Sequence, residues 1–370
     1  MSNIKTILQV LPSLNSGGVE RGTLEMADFI VKKKYNSIVI SGGGRLVESL
    51  ENSGSRHIEL NIGKKSPLAL LNIPKIISII KKYNIDLIHA RSRLPAWIIY
   101  LALKFIPKKI RPFFVTTIHG YNSVSFYSSI MTKGDRVIVV SESLKKFVFK
   151  NYKIEKNKVF LIHRGVPKNL SVNKNDKEFK KWNSVWQASN RNIRGRAILT
   201  LPSRLSRRKG IELFLKLIQK LKEQNLKVVG LIVGDAKSKN YLEEIQVMIK
   251  KLNIQDHILL LGFRPDIYNI MSISHIVFSI QTVPESFGRI VVESIKIGTP
   301  VIGFNHGGAG EQLKHIFPEG IVKLNNEEEL FRKTLLFLEK KPKVKKFNMF
   351  TLEEMKEKTL SVYKSFENNE

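Results

Sequence analysis

Short apolar runs alternate with segments of helical spacing along the first half of the chain. Most runs are rich in Ile and Val and are followed by a turn, after which apolar residues recur every three or four positions. Such runs predict buried strands, and the longer segments predict amphipathic helices. The predicted strands are residues 6–11, 37–41, 57–60, 87–89, 114–118 and 136–140, and the predicted helices are residues 19–33, 45–53, 73–82 and 95–105.

The same alternation returns in the second half, after a polar and basic stretch that interrupts it. That stretch, residues 166–196, contains two Trp residues and one segment of helical spacing at 177–188, and the chain ends with an amphipathic segment at 352–366. The strands predicted in the second half are residues 197–201, 227–233, 257–261, 276–280, 301–304 and 320–323.

Strands that alternate with helices across short connections predict parallel sheets covered by helices. The sequence therefore predicts an α/β protein with two doubly wound domains, since 370 residues are enough for two cores. The predicted domains are residues 1–169 and 197–344, joined by a basic connection at 170–196 and followed by a C-terminal segment at 345–370.

The composition narrows the possible chemistry. The chain has no Cys, which excludes disulfides and thiolate metal sites. Lys and Arg total 62 against 32 acidic residues, and residues 1–165 hold 27 of these cations against 10 acids. Such an excess of positive charge attracts nucleic acid, anionic lipid headgroups or phosphorylated saccharides. A Lys-rich and Ile-rich composition of the whole proteome is an alternative explanation of the charge. No apolar stretch reaches the ~20 residues that span a bilayer, and the N-terminus lacks signal-peptide features.

The sequence after the apolar run 276–280 places two carboxylates close together. Gly298 and Pro300 predict the end of a helix that starts near Gly288. Glu285 then lies in the loop, and Glu293 lies about one and a half turns into the helix. Two carboxylates held in this way suit a ligand rich in hydroxyl groups.

These two glutamates have seven residues between them, stand in a Pro-Glu-x-Phe-Gly context and are followed by Gly-x-Pro-Val-Ile, a pattern that resembles glycosyltransferase family 4. The resemblance implies a retaining enzyme of the GT-B fold that uses a nucleotide-sugar donor. It also implies that two Rossmann-like domains face a cleft, that the second domain binds the donor, and that the C-terminal helix crosses back onto the first domain.

The loop after the predicted strand 197–201 carries basic residues ahead of a helix that starts near Ile211. The end of a strand that leads into a helix N-terminus favours anions. Arg204 and Lys209 would add two charges there, enough to hold a diphosphate without a divalent metal. Their spacing resembles the element with which the family binds the donor pyrophosphate. Arg207 and Arg208 are interpreted as solvated loop residues.

Glycine-containing loops follow several other strands. Adjacent glycines let a backbone approach a phosphate closely. By resemblance, Gly17 and Gly18 face the donor phosphates and the acceptor, and Gly307 and Gly308 shape the sugar and phosphate pocket. The resemblance extends to Gly234, in the next turn along the cleft, and to the loop with Arg264, whose backbone reads the nucleobase.

The resemblance also assigns roles at the reacting centre. His119, after the strand 114–118, is expected to contact the donor sugar, although a turn histidine bonded to backbone is an alternative. Glu285 and the backbone of Ser286, Phe287 and Gly288 are expected to hold the sugar, and Glu293 the ribose. Catalytic roles fall on His119, Glu285, Arg204 and Lys209. No cofactor or metal is expected, since no Asp-x-Asp or His-x-x-x-His pattern occurs near a strand end.

The basic first domain is expected to hold an anionic, lipid-linked saccharide acceptor. Residues 91–97 resemble a segment of bacterial members associated with lipopolysaccharide core assembly, often called mannosyltransferases. We therefore predict a cytoplasmic hexosyltransferase, peripheral on the inner membrane face, in lipopolysaccharide or envelope glycan synthesis. The alternatives are a non-catalytic sugar-binding protein and a nucleic-acid-binding protein. The latter is not expected, because the chain lacks aromatic residues interleaved on a sheet face.

Overall fold

The computed structural model describes residues 4–15, 17–64, 66–236 and 238–367. It divides the chain into two compact units, with boundaries between His163 and Arg164 and between Thr351 and Leu352. The first unit is formed by the described residues before the first boundary and after the second one. The second unit is Arg164–Thr351.

The described part of the first unit contains a seven-stranded sheet in which every pairing is parallel. Its strands are β1 (Thr6–Val10), β2 (Asn36–Ser41), β3 (Arg56–Glu59), β4 (Leu87–Ala90), β5 (Phe113–Ile118), β6 (Arg136–Val139) and β7 (Val159–Leu161). The helices are α1 (Gly18–Lys32), α2 (Val47–Asn52), α3 (Ile73–Lys82), α4 (Arg93–Lys104), α5 (Phe126–Ser129) and α6 (Glu142–Asn151). The strand order is β3-β2-β1-β4-β5-β6-β7, so the direction of winding reverses between β1 and β4.

The C-terminal helix, Leu352–Lys364, packs on the first unit, as predicted. Phe366 stacks on Phe113 of β5, with ring centroids 4.2 Å apart. The Tyr363 hydroxyl lies 2.6 Å from His89 Nδ1, and Thr117 Oγ1 lies 2.6 Å from His89 Nε2. Tyr363 is fully buried, and this burial raises the pKa of its phenol to about 12. A polar network therefore joins the last helix to β4 and β5.

The second unit repeats the architecture with a six-stranded parallel sheet in the order β10-β9-β8-β11-β12-β13. Its strands are β8 (Ala197–Pro202), β9 (Val228–Val233), β10 (Ile258–Leu260), β11 (Ile276–Ser279), β12 (Val301–Phe304) and β13 (Ile321–Val322). Its helices are α7 (Lys177–Ser189), α8 (Ile211–Glu223), α9 (Lys239–Lys251), α10 (Ile267–Ile273), α11 (Arg289–Ile297), α12 (Gly307–Ile316) and α13 (Glu327–Glu339). Here the winding reverses between β8 and β11.

The predicted strands are all present, with ends that differ by one residue at most, and most of them are buried runs of Ile, Val, Leu or Phe. The edge strand β3 is the exception, because its residues are exposed or only partly buried. Three elements of the first unit were not predicted: the short helix α5, helix α6 and the three-residue strand β7. The stretch predicted as a connection, 170–196, belongs to the second unit, and residues 345–351 also belong to it. No helix within the described ranges is both long enough and apolar enough to cross a bilayer.

Candidate active site

The predicted residues of the second unit follow the ends of five neighbouring strands, apart from Glu293 in α11. Arg204 and Lys209 follow β8, Gly234 follows β9, Arg264 follows β10, Glu285 to Gly288 follow β11, and Gly307 and Gly308 follow β12. Because these strands are parallel, their carboxyl ends lie along one edge of the sheet. Ligands of open α/β sheets bind at this edge, where the strand order reverses.

Lys209 and Glu285 meet at this reversal. Lys209 Nζ lies 2.6 Å from Glu285 Oε2, and the two side chains are 25% and 29% exposed. The ammonium group is therefore partly desolvated, which strengthens its attraction for an anion. Arg204, on the same loop, is exposed at the edge. The structure thus places the predicted cation after β8 beside the predicted carboxylate after β11, a contact that the sequence did not predict, and the donor-binding roles of both residues stay predictions.

The loop after β11 is in backbone contact with the first turn of α12. The Gly308 N–H donates to the Glu285 carbonyl at 2.6 Å. Gly288 has a φ of 85°, and a Cβ added there would lie 2.5 Å from Ala309 Cα, so only glycine fits this approach. The Phe287 ring is buried against Phe350. Phe287 can therefore serve a ligand through its backbone, as the sequence predicts, while its side chain belongs to the core.

Glu293 is held in place by two donors. Its Oε1 accepts hydrogen bonds from the Tyr268 hydroxyl at 2.9 Å and from Arg289 Nε at 2.7 Å, and the residue is only 4% exposed. Sequence reasoning missed both donors. The four-residue spacing between Arg289 and Glu293 in a helix was a signal for that pair. Tyr268, on α10, is brought to Glu293 by tertiary structure alone.

The loops after β8, β9 and β10 are tied together by backbone contacts. A Cβ added to Gly234, whose φ is 156°, would lie 2.3 Å from the Ser203 carbonyl oxygen. The Leu205 N–H donates to the Asp235 carbonyl at 3.0 Å, and the Phe263 N–H donates to Asp235 Oδ1 at 3.0 Å. The edge of the sheet is therefore one connected surface from β8 to β10.

The Arg264 side chain is engaged within the protein. Its Nε and Nη2 donate to the two carboxylate oxygens of Asp266 at 2.8 and 2.6 Å, and its guanidinium lies 4.9 Å from the ring centre of Trp186. Burial acts to raise the pKa of Asp266, but hydrogen bonds from Arg264 and Trp182 outweigh it and hold that pKa below its ordinary value. A donor-binding role for this loop therefore falls on its backbone.

The first unit holds the remaining predicted residues. Gly17 precedes α1 with a φ of 147°, and the Glu20 carboxylate lies against it. A Cβ added to Gly18 would meet no atom within 4 Å, so Gly18 borders open space. His119 follows β5 and is partly exposed at the carboxyl edge of the first sheet. Ser16, at the start of the predicted glycine loop, lies outside the described residues, and the approach of Gly18 and His119 to the donor stays a prediction.

No three His, Asp or Glu side chains of the described ranges are grouped so that they could hold a metal ion. The predicted independence from metals and cofactors stays a prediction.

The protein has two doubly wound parallel-sheet units. One of them carries a Lys–Glu pair and glycine-containing loops where the winding of its sheet reverses. These features define a protein of the GT-B class. The comparisons with known proteins agree. The family "Glycosyltransferase Family 4" matches residues 16–170, and the family "Glycosyl transferases group 1" matches residues 184–351. The chain belongs to these glycosyltransferases and is an enzyme of that class. This confirms the predicted family, whereas the narrower resemblance to lipopolysaccharide core mannosyltransferases stays a prediction.

Individual relatives are similar over nearly the whole chain. A glycosyltransferase crystal structure from Rickettsia africae is 34% identical, covers 100% of both chains and has a TM-score of 0.85. The structure of Anabaena HepE in complex with UDP and glucose is 20% identical, covers 98% of this chain and 100% of that chain, and has a TM-score of 0.81. The Escherichia coli UDP-Gal:alpha-D-GlcNAc-diphosphoundecaprenol alpha-1,3-galactosyltransferase is 24% identical over an alignment of 351 positions that covers 86% of this chain and 84% of that protein.

Proposed function

We propose that this enzyme transfers a hexose from a nucleotide-diphosphate sugar to a lipid-linked glycan, with retention of configuration. The Lys209–Glu285 pair at the reversal of the second sheet is the observation that carries the donor assignment. Two relatives support it, one by its complex with UDP and glucose and the other by a name that specifies UDP-Gal and a diphosphoundecaprenol-linked acceptor. By analogy with them, the donor is a UDP-hexose, and mannose is the alternative sugar that the sequence resemblance suggests.

In the proposed donor complex, Lys209 exchanges its carboxylate partner for the diphosphate. Arg204 adds a second charge, and Glu285 is then released to accept hydrogen bonds from the sugar hydroxyls. Glu293, oriented by Tyr268 and Arg289, binds the ribose. The leaving group is a nucleoside diphosphate, so the main task of the site is to stabilise the negative charge that grows on it. The diphosphate itself takes the proton of the acceptor hydroxyl, and no side chain is assigned as the base.

A panel of nucleotide sugars tests the donor assignment. The purified protein is incubated with UDP-, GDP- and ADP-linked hexoses, and the released nucleoside diphosphate is measured with and without a diphosphate-lipid-linked sugar. We expect release from a UDP-hexose, accelerated by the acceptor. Donor binding without release or transfer would instead support a non-catalytic sugar-binding protein, and failure of every nucleotide to bind would contradict the proposal.

The acceptor assignment rests on the surface of the first unit. Residues 60–134 contain 12 Lys and Arg and one acidic residue, Asp86. The Asp86 carboxylate accepts hydrogen bonds from the backbone N–H groups of Lys5 and Thr6, so it is engaged inside the unit. The same stretch also carries seven large exposed apolar side chains. They are Leu68, Leu70, Leu71, Phe105, Ile110, Val124 and Phe126.

Cations combined with exposed apolar side chains favour an anionic membrane surface over a nucleic acid. Cations attract both partners, but apolar side chains gain free energy only by leaving water. Lys65, in one of the predicted dibasic pairs, lies outside the described residues. We propose that this surface holds the enzyme on the inner face of the cytoplasmic membrane, where a lipid-linked acceptor is available for envelope glycan synthesis.

The double substitution Leu68→Ser and Leu71→Ser is expected to weaken binding to vesicles that contain anionic lipid by about tenfold, because both side chains are 69% exposed and would lose their burial in the lipid. Vesicle co-sedimentation measures the effect, with salt added to test the electrostatic part. Leu336→Ser, at a side chain 52% exposed on the second unit, is the matched control and should have no effect. Equal recovery of the protein with neutral and with anionic vesicles would contradict the proposed binding to an anionic membrane surface.

A further inference from the structure

Helix α7 lies in the stretch that sequence reasoning treated as a connection, and its first half lies between the two family matches. Its aromatic side chains form a stack on the second unit. Trp182 and Trp186 are nearly parallel, with ring centroids 5.6 Å apart, and Phe179 packs on Trp182 at 5.4 Å. Trp186 is buried against the sheet with residues such as Ile198 and Val229. The helix is therefore an integral part of the unit proposed to bind the donor.

One hydrogen bond connects this stack to the loop after β10. Trp182 Nε1 donates to Asp266 Oδ2 at 2.6 Å. Asp266 also receives both hydrogen bonds of the Arg264 guanidinium, which in turn lies over Trp186. These contacts form a closed ring, which we name the α7 clamp. It consists of Trp182, Asp266, Arg264 and Trp186. A carboxylate that accepts three hydrogen bonds from fixed donors has little freedom to move.

The α7 clamp acts on both parts of the predicted nucleoside site. On one side of Asp266, the loop runs back to Phe263, whose N–H is held by Asp235. On the other side, α10 begins at Ile267, and Tyr268 in its first turn donates to Glu293. The position of Asp266 therefore affects both the backbone that is predicted to face the base and Tyr268, which orients the predicted ribose ligand Glu293.

We propose that Trp182 is a positioning residue for recognition of the nucleoside half of the donor. It acts through Asp266 and touches no ligand itself. This inference rests on the proposed function, since it needs a nucleoside diphosphate in the site. The diphosphate residues lie on a different loop, after β8, so loss of the clamp should weaken nucleoside recognition and leave diphosphate recognition intact.

Trp182→Phe tests the inference because it keeps an aromatic ring in the stack and removes only the N–H donor. Binding of UDP, GDP, ADP and inorganic pyrophosphate to the full chain is measured by calorimetry or by competition. For the nucleotide that binds the wild type most tightly, we expect about a tenfold loss of affinity, the size of effect seen when a residue that only orients the ligand-binding groups is removed. Affinity for pyrophosphate should stay within about twofold.

Trp97→Phe is the matched control, because it removes an indole hydrogen bond of 2.9 Å, to the Tyr127 carbonyl, in the first unit. It should lower thermal stability in a similar way without changing nucleotide affinity. If Trp182→Phe does not fold, Asp266→Asn replaces it, with the same expected selectivity for the nucleoside.

An equal loss of affinity for the nucleotide and for pyrophosphate in the Trp182 variant would overturn the inference, because it would indicate a general structural defect. Unchanged nucleotide affinity would overturn it as well. In both cases the proposed function would stand. If the wild-type protein bound none of the nucleotides, the proposed function itself would fail, and the inference with it.

Discussion

Replacing Lys209 with alanine is expected to lower kcat/KM for sugar transfer by about 10²- to 10³-fold, the usual cost of removing one preorganised group that stabilises the charge of a transition state. Lys209 is three-quarters buried beside Glu285, at the point where the second sheet reverses. Its charge acts there with less screening than a surface lysine has. Steady-state kinetics with the donor identified by the nucleotide-sugar panel measures the loss.

Arg208→Ala is the control for Lys209→Ala. Arg208 is the preceding residue of the same loop and is exposed, so its removal changes the net charge by the same amount and should alter kcat/KM by less than about threefold. Equal losses in the two variants would mean that the loop acts only through its overall charge. Full activity of Lys209→Ala would contradict the site assignment.

The partner of Lys209 refines this expectation. Glu285→Gln removes the carboxylate that pairs with Lys209 in the ligand-free enzyme but keeps a side chain able to bond to hydroxyl groups. Lys209 is then free of its competitor, so diphosphate affinity should rise while transfer falls. Opposite changes in binding and in kcat would show that Glu285 serves the sugar as well as the lysine.

The predictable part of the fold depends on local sequence. Strands such as β9 and β12 are continuous apolar runs between turn residues. Helix α11 ends at Ile297, directly before Gly298 and close to Pro300, as predicted. Helices α5 and α6 and strand β7 were missed. Helix α5 is four residues long and β7 is three residues long, too short for a periodic pattern, and β7 is recognised only from its pairing with β6. The membership of α7 in the second unit was missed because its sequence is mostly polar, and only the stacked aromatic side chains show where it packs.

The site likewise has a part that local sequence predicts and a part that only tertiary packing creates. The location of Arg204, Lys209 and Glu285 at one edge of the sheet could be predicted, because parallel strands bring the residues after their carboxyl ends together there. The partners that orient the site could not be predicted in this way. Tyr268 reaches Glu293, and Trp182 reaches Asp266 across 84 positions of sequence, through packing that no local pattern encodes. The pairing of the Arg264 side chain with Asp266, two residues further along the same loop, was not predicted either.

Gly210→Ala is expected to destabilise the second unit by about 3–5 kcal/mol, the sum of a left-handed backbone at a non-glycine residue and a steric overlap. Gly210 has a φ of 73°, and a Cβ added there would lie 2.1 Å from the Ile280 carbonyl oxygen, at the end of β11. Gly298→Ala separates the two contributions, because Gly298 has a φ of 91° and a Cβ there would meet no atom within 4 Å. It should cost only about 1 kcal/mol in urea unfolding.

The close contact at Gly210 also links stability to activity. Gly210 joins Lys209 to α8 and lies against the chain that leads from β11 to Glu285, so the missing side chain is what allows the lysine and the glutamate to meet. Alanine would push the start of α8 away from Ile280 and lengthen the Lys209–Glu285 distance. We therefore expect folded Gly210→Ala to lose transfer activity as well, whereas Gly298→Ala should keep it. Equal destabilisation of the two variants, or full activity of folded Gly210→Ala, would show that the loop after β8 can reach Glu285 without this contact.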